Sequence, residues 1–265
     1  CVAWGTGGFI YAGGEAGQLY RISPDGKSQL LANTGGFILG VCVDGDQNVY
    51  ACDVAKNQVV KVNPAGELSV YSEGSPERKM VSPNYALFDR YGNLYLTASG
   101  IAGQNNACLF RIRPGGKTEM VSDEVSQNAN GLALSPDGTQ LYVILTDLCS
   151  VVKIPLGDSN PAGKLKRAEP VVQLDHAVPD GLAMDQEGNL YIGCYAPDVI
   201  YRYSSDGQLD VFAQDWKRST LASPTNLAFG GPDWKTMFVA NFARWDLAAA
   251  QVEIPGCPPN YPKLG

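Results

Sequence analysis

The sequence lacks several features that common functional sites require. It has a single histidine, His176, among 265 residues, no CxxC pair, and no basic cluster longer than Lys164, Lys166 and Arg167. We interpret His176 as a loop residue; the alternative is a proton shuttle or a substrate contact, and nothing indicates a serine–histidine–aspartate triad. The scarcity of clustered basic residues argues against a nucleic-acid surface. No apolar run approaches the ~20 residues of a membrane span.

The net charge and the cysteine content bear on the surface of the protein and on its cellular location. The net charge of −7 at pH 7 fits an ordinary solvated surface and also suits a cation site. Seven cysteines at irregular spacing do not predict a disulfide framework, and they favour a reduced, cytoplasmic location. No signal peptide is visible, but the chain begins on Cys1 rather than Met, so export to the periplasm stays open.

One segment recurs along the chain, and four copies carry an amide or a carboxylate at the same register. The register residues are Asn84, Asn130, Asp180 and Asn226, with spacings of 46, 50 and 46 residues. A repeat of about 45 residues is typical of a β-propeller with one four-stranded blade per repeat. We therefore predict an all-β, six-bladed β-propeller, with four-stranded antiparallel blades around a central channel, as a single domain over residues 1–265.

The two ends of the chain leave the predicted ring incomplete. Blade six shows three strands, near residues 225–230, 236–241 and 247–254, followed by a loop-like tail. Blade one begins inside its innermost strand at Cys1. Because an open edge strand is a liability, we expect residues upstream of Cys1 to supply the closing strand and the start of blade one.

The register residues form a candidate cation site. In a propeller the first strand of each blade lines the channel, so these residues are predicted to gather at one mouth, where Leu39 and the residue before Cys1 complete the six positions. Amide and carboxylate oxygens suit a hard cation such as Ca²⁺ or Mg²⁺. The alternative is turn chemistry, because Asn and Asp start loops by hydrogen bonding to their own backbone. Asn226 is the weakest member, since the loop before it is turn-like anyway.

Four stretches carry a resemblance to a known family. They cover residues 130–138, 179–185, 228–233 and 240–245. In them the sequence resembles the senescence marker protein (regucalcin)/gluconolactonase family of six-bladed β-propellers, with strictosidine-synthase-like proteins as distant relatives. The similarity runs through all 265 residues.

The resemblance implies metal-dependent hydrolysis of a lactone or related ester. In the family, a divalent cation is held by a Glu, which would fall before Cys1, and by an Asn and an Asp that match Asn130 and Asp180. Asn84 is implied as a third ligand or a substrate contact. Ca²⁺ is the first expectation, with Mg²⁺, Mn²⁺ and Zn²⁺ as alternatives. The cation would polarise the carbonyl and activate water, and Asp180 would act as general base or nucleophile.

The sequence departs from the sugar-lactone members of the family next to Asn84. Where they carry Arg and Asp, this chain has Ser82 and Tyr85, which indicates a less polar substrate. The candidate substrate contacts are Asn84, Tyr85, Asn226, Tyr195, Arg244 and His176. Two other functions stay open: a non-catalytic propeller that binds a ligand or protein around a structural cation, and a non-hydrolytic enzyme like the strictosidine-synthase relatives.

Overall fold

The computed structural model describes residues 1–156 and 163–264, and nearly all of its regular structure is β-strand. In these ranges, twenty-five strands follow one another, with one 3₁₀ turn at Thr146–Leu148. No helix in the same ranges is long and apolar enough to cross a membrane. The described chain divides into two compact units, residues 1–129, 163–165 and 259–264, and residues 130–156 and 166–258.

The first unit holds three four-stranded antiparallel sheets, here called blades one to three, whose neighbouring strands are consecutive in the chain. Blade one consists of β1 (Val2–Trp4), β2 (Ile10–Gly13), β3 (Gln18–Ile22) and β4 (Ser28–Asn33). Blade two consists of β5 (Ile38–Val43), β6 (Val49–Asp53), β7 (Gln58–Val62) and β8 (Leu68–Ser72). A hairpin of β9 (Gly74–Ser75) and β10 (Arg78–Lys79) follows. Blade three consists of β11 (Pro83–Phe88), β12 (Leu94–Ala98), β13 (Cys108–Ile112) and β14 (Thr118–Ser122).

The second unit holds blades four to six, apart from Ala129, the first residue of blade four. Blade four consists of β15 (Ala129–Leu134), β16 (Gln140–Leu145), β17 (Ser150–Pro155) and β18 (Glu169–Gln173). Blade five consists of β19 (Val178–Met184), β20 (Leu190–Ala196), β21 (Val199–Tyr203) and β22 (Leu209–Gln214). Blade six has three strands in the described chain, β23 (Pro224–Gly230), β24 (Thr236–Asn241) and β25 (Leu247–Gln251).

The six sheets confirm the prediction of an all-β, six-bladed β-propeller. The three strands of blade six lie where the sequence pattern indicates them, although β25 ends at Gln251 rather than near residue 254.

Burial decreases from the middle strands of a blade to its last strand. Every residue of β6 and β12 is buried, whereas β8 begins with three exposed residues. Strands covered on both faces consist almost wholly of apolar residues, which explains runs such as Leu94–Ala98. Aromatic side chains join neighbouring blades within each unit: Tyr50 meets Phe88 edge-on at 5.0 Å between ring centroids, and Tyr191 meets Phe229 at 5.4 Å.

A buried aspartate closes the turn between the first two strands of blade two. Oδ1 of Asp44 accepts hydrogen bonds from the backbone N–H groups of Asp46 and Asn48, both at 2.9 Å. Its Oδ2 accepts hydrogen bonds from Asn48 Nδ2 at 2.8 Å and from the Tyr50 hydroxyl at 3.1 Å. The same four bonds recur in blade five, from residues 187, 189 and 191 to Asp185. These hydrogen bonds offset the cost of burying the charge.

We predict that Asp44→Ala lowers the free energy of unfolding by about 3 kcal/mol, because several buried donors lose a charged acceptor. Urea denaturation measures this loss. The matched control is Asp137→Ala, which removes an exposed aspartate from the corresponding turn of blade four, and should cost about 1 kcal/mol or less. Equal losses in the two variants would contradict the role of the buried acceptor.

Candidate functional site

Three of the four register residues lie near the start of the first strands of blades four, five and six. Asn130 is the second residue of β15, and Asp180 and Asn226 are the third residues of β19 and β23. All three belong to the second unit. The repeat in the sequence therefore places them at equivalent ends of consecutive strands.

Glycines after two of these residues allow the first strands to approach each other closely. A Cβ on Gly131 would lie 2.5 Å from the carbonyl oxygen of Asp180. A Cβ on Gly181 would lie 2.6 Å from the carbonyl oxygen of Thr225 and 2.8 Å from Cα of Asn226. No real side chain fits at such distances, so glycine at these two positions is a condition for bringing the three register residues near one another.

Asp180 is the acidic group of this cluster. It is half-buried, and burial raises the pKa of its carboxyl to about 7, although a hydrogen bond from the side chain of Asn130 acts in the opposite direction. Its charge reaches two neighbours: the pKa of the Cys194 thiol is raised to about 12, chiefly by burial and then by Asp180. The pKa of Tyr195 is also raised, for the same two reasons in the same order. Asn130 and Asp180 therefore influence each other, and their roles as cation ligands stay predictions.

Asn130 and Asn226 are buried amides with different surroundings. Asn130 Nδ2 donates a hydrogen bond to Thr146 Oγ1 at 3.2 Å. Asn226 is only 3% exposed, and its Oδ1 has no hydrogen-bond partner among the described residues. A buried carbonyl oxygen without a donor costs free energy of about 1–3 kcal/mol, so Asn226 is suited to meet a ligand.

Asn84 lies in the first unit, as the second residue of β11. Its Nδ2 donates a hydrogen bond to Ser99 Oγ at 2.9 Å. Tyr85 is half-buried, and its backbone N–H donates to Thr97 Oγ1 at 3.1 Å. The roles of Asn84 as ligand or substrate contact, and of Tyr85 as substrate contact, stay predictions.

The other candidate contacts lie in the second unit, on strand ends or loops. Tyr195, near the end of β20, is 40% exposed. Arg244 forms two hydrogen bonds with Asp246, at 2.8 and 2.7 Å, so its charge is already paired. His176 is exposed and has a φ of 57°, in the loop before β19. Their substrate roles stay predictions.

Several exposed aromatic side chains were not singled out from the sequence. Trp216 and Phe242 are mostly exposed, and Trp245 is completely exposed. Their loops are tied to each other by backbone hydrogen bonds from Phe242 to Ser223 at 2.8 Å and from Ala243 to Ala222 at 3.1 Å. Residues 240–245 belong to a stretch that carries the family resemblance, but residue type alone does not predict that Phe242 and Trp245 are exposed.

The donor atoms of the second unit fit a hard cation better than a soft one. Among the described residues, no three side chains of the His, Cys, Asp and Glu types cluster as a metal site. Asp180 instead supplies one carboxylate, and Asn130 and Asn226 carry amide oxygens at the equivalent positions of the neighbouring blades. A carboxylate whose burial disfavours its charge, and the unsatisfied Oδ1 of Asn226, would both be stabilised by a cation.

Comparison with known proteins decides the family. The model of the SMP-30/Gluconolactonase/LRE-like region matches residues 15–243. The chain belongs to this family, as the sequence motifs predict. A gluconolactonase from Zymomonas mobilis is 31% identical over 187 residues, which are 64% of this chain and 52% of that protein, so the match spans about half of the relative. A 6-deoxy-6-sulfogluconolactonase from Pseudomonas putida is 25% identical over 272 residues, 91% of this chain and 86% of that protein.

Solved structures of low sequence identity share the fold. A gluconolactonase from Xanthomonas campestris superposes with a TM-score of 0.77 at 20% identity, covering 91% of this chain and 82% of that one. Regucalcin from Agrobacterium tumefaciens, described as a calcium-binding protein, superposes with a TM-score of 0.76 at 17% identity, covering 98% and 91%.

We predict that Gly131→Ala displaces the backbone around Asp180 and lowers the free energy of unfolding by about 2 kcal/mol, because the added methyl overlaps a carbonyl oxygen. Denaturation measures the loss, and backbone amide NMR resonances of residues 179–182 report the displacement.

The control is Gly138→Ala, at a position with a φ of +69° and no atom within 4 Å of the added Cβ. It should cost about 1 kcal/mol, from backbone strain alone, and leave those resonances in place. Unchanged resonances in Gly131→Ala would show that the close approach does not control the position of Asp180.

Proposed function

We propose that the protein is a lactonase-type hydrolase that opens a cyclic ester with the carboxylate of Asp180. Membership of a family whose relatives include two proteins named as lactonases supports this function. The observation that carries it is the close approach of the strands that hold these residues, because a Cβ on Gly131 would lie 2.5 Å from the carbonyl oxygen of Asp180 and one on Gly181 would lie 2.8 Å from Cα of Asn226. Backbone positions far apart in sequence thereby lie near one half-buried carboxylate.

A divalent cation is the proposed cofactor, Ca²⁺ before Mg²⁺, Mn²⁺ or Zn²⁺. Asn130 and Asp180 would hold it through their side-chain oxygens, which are the ligands that hard cations prefer. When bound, the cation would supply Lewis acidity, polarising the lactone carbonyl and stabilising negative charge on its oxygen. The calcium-binding description of the Agrobacterium regucalcin supports the choice of Ca²⁺.

Asp180 is the proposed general base. Its ionised carboxylate accepts a proton from the attacking water as the water oxygen bonds to the lactone carbonyl carbon. The ring C–O bond then breaks, and the same proton passes to the leaving ring oxygen, which becomes the hydroxyl of the product. A positive charge nearby would keep the carboxyl ionised at neutral pH, because it would lower the pKa from the raised value that burial produces. The alternative role of Asp180 as nucleophile stays open.

The proposed substrate is a lactone with an apolar substituent. Ser82 and Tyr85 stand where the sugar-lactone members of the family carry a charged pair, and this favours a less polar substrate. Among the candidate substrate contacts, Tyr195 has a pKa that is raised by burial and by the carboxylate of Asp180.

A non-catalytic binding protein is the second candidate function. The presence of a single carboxylate among Asn130, Asp180 and Asn226 favours it, since a weakly charged cation site suits a structural role. A screen of γ- and δ-lactones in the presence of each of the four cations separates the two functions, because only the hydrolase turns over substrate.

We predict that Asp180→Asn and Asp180→Ala each reduce lactone turnover by at least about 100-fold, because the general base is lost. Cation binding, measured by isothermal titration calorimetry, should weaken in the same variants, while circular dichroism and the melting temperature stay close to those of the original chain. Asp137→Asn, on the exposed turn after β15, is the matched control and should leave turnover and binding unchanged. Full turnover in Asp180→Ala would remove Asp180 from the mechanism.

A further inference from the structure

We propose that the hydroxyl of Thr146 is a positioning group, which fixes the orientation of the Asn130 amide so that the amide oxygen is available to the proposed cation. This inference rests on the proposed function, because it concerns how the cation ligands of that site are held. Thr146 is buried, at the start of the 3₁₀ turn that follows β16.

The hydrogen bonds of Thr146 leave one consistent arrangement of donors. Thr146 Oγ1 lies 2.9 Å from the carbonyl oxygen of Pro179 and 3.2 Å from Asn130 Nδ2. A carbonyl oxygen only accepts, so the single hydroxyl proton must be donated to Pro179. The hydroxyl can then only accept from Asn130, which requires the NH₂ group of the amide to face Thr146.

The position of the NH₂ group determines the position of the amide oxygen. Because the NH₂ group of Asn130 faces Thr146, Oδ1 of Asn130 is turned away from the Thr146 hydroxyl. The Thr146 hydroxyl thereby orients Oδ1 of Asn130, the atom that would bind a hard cation, although among the described residues the hydroxyl itself hydrogen bonds only to Asn130 and Pro179.

Thr146 also acts on the backbone next to Asp180. Pro179, the acceptor of its hydroxyl proton, directly precedes Asp180 in β19. One hydroxyl therefore links the side chain of the ligand residue in blade four to the main chain beside the carboxylate in blade five. Loss of the hydroxyl is expected to loosen both ligands at once.

The first unit contains the same arrangement, built from different residue types. Ser99 Oγ lies 2.9 Å from Asn84 Nδ2 and donates to the carbonyl oxygen of Ala129 at 2.8 Å. Ser99 lies 15 residues after Asn84, and Thr146 lies 16 residues after Asn130. In each case the acceptor carbonyl belongs to the residue that precedes the next register position, Asn130 or Asp180. Recurrence of the bond pattern in a second blade argues that it serves the register residues rather than one local turn.

The test compares Thr146→Val with Thr146→Ser. Valine keeps the shape of threonine without the hydroxyl, and serine keeps the hydroxyl without the methyl. We expect Thr146→Val to weaken Ca²⁺ binding about 10- to 100-fold by calorimetry, the usual effect of removing a hydrogen-bond partner of a metal ligand. Thr146→Ser should bind within about threefold of the original chain. High-resolution crystal structures without added cation should show the Asn130 side chain displaced only in Thr146→Val.

A matched control separates positioning from general stability. Thr118 is also a buried threonine, whose hydroxyl pairs with Ser72 Oγ at 2.7 Å in the last strands of blades two and three. Thr118→Val should lower the melting temperature without changing Ca²⁺ affinity. If Thr146→Val does not fold, the equivalent variant in the first unit is Ser99→Ala. Its crystal structure should show the side chain of Asn84 displaced, because Ser99 is the hydrogen-bond partner of that amide.

Two results would overturn the assignment: Ca²⁺ affinity and an Asn130 position in Thr146→Val that match the original chain, or equal losses of affinity in the valine and serine variants. Failure of the proposed function is distinguishable from these. In that case the unsubstituted chain binds none of the four cations and opens no lactone, whereas the cation-free crystal structures still decide whether the hydroxyl orients Asn130.

Discussion

The candidate site depends on how closely the first strands of neighbouring blades approach each other in the second unit. That approach is limited by the backbone: the carbonyl oxygens of Asp180 and Thr225 occupy the space that side chains at positions 131 and 181 would need. The close packing of backbone on backbone is what allows short side chains such as Asn and Asp to reach one another. With longer separations, residues of this size could not share a ligand.

Much of the fold was predictable because the same pattern recurs at a regular spacing in several repeats. The turn residues and the apolar middle strands recur along the chain, and the four amide or carboxylate residues follow the same period, so equivalent positions for Asn130 and Asp180 in neighbouring strands could be expected. The strand bounds of blade six were also close, since β24 spans the predicted residues 236–241. Period and alternation are local properties, and they are fully visible in a linear sequence.

Properties that depend on loops or on tertiary contact were not predictable. Thr146 and Ser99 lie just after the second strands, and their spacing from an asparagine does not by itself show what their hydroxyls hydrogen bond to. Nothing in the sequence shows that the carboxylates of Asp44 and Asp185 are buried and that each accepts four hydrogen bonds. Arg244 is a candidate substrate contact in the sequence, yet its partner Asp246 is only two residues away, and their pairing becomes visible only in three dimensions.

The two glycines also restrict how this protein can diversify. Since positions 131 and 181 admit no side chain, the strand ends that hold Asn130 and Asp180 offer little freedom for new contacts to a bound molecule. Sequence variation is better tolerated in the surface segments around residues 195, 216 and 242–245, where Tyr195, Trp216, Phe242 and Trp245 are exposed. Those segments could be exchanged between homologues in engineering work while the strand ends are left intact, and a library restricted to them would sample new specificities at small cost in folding yield.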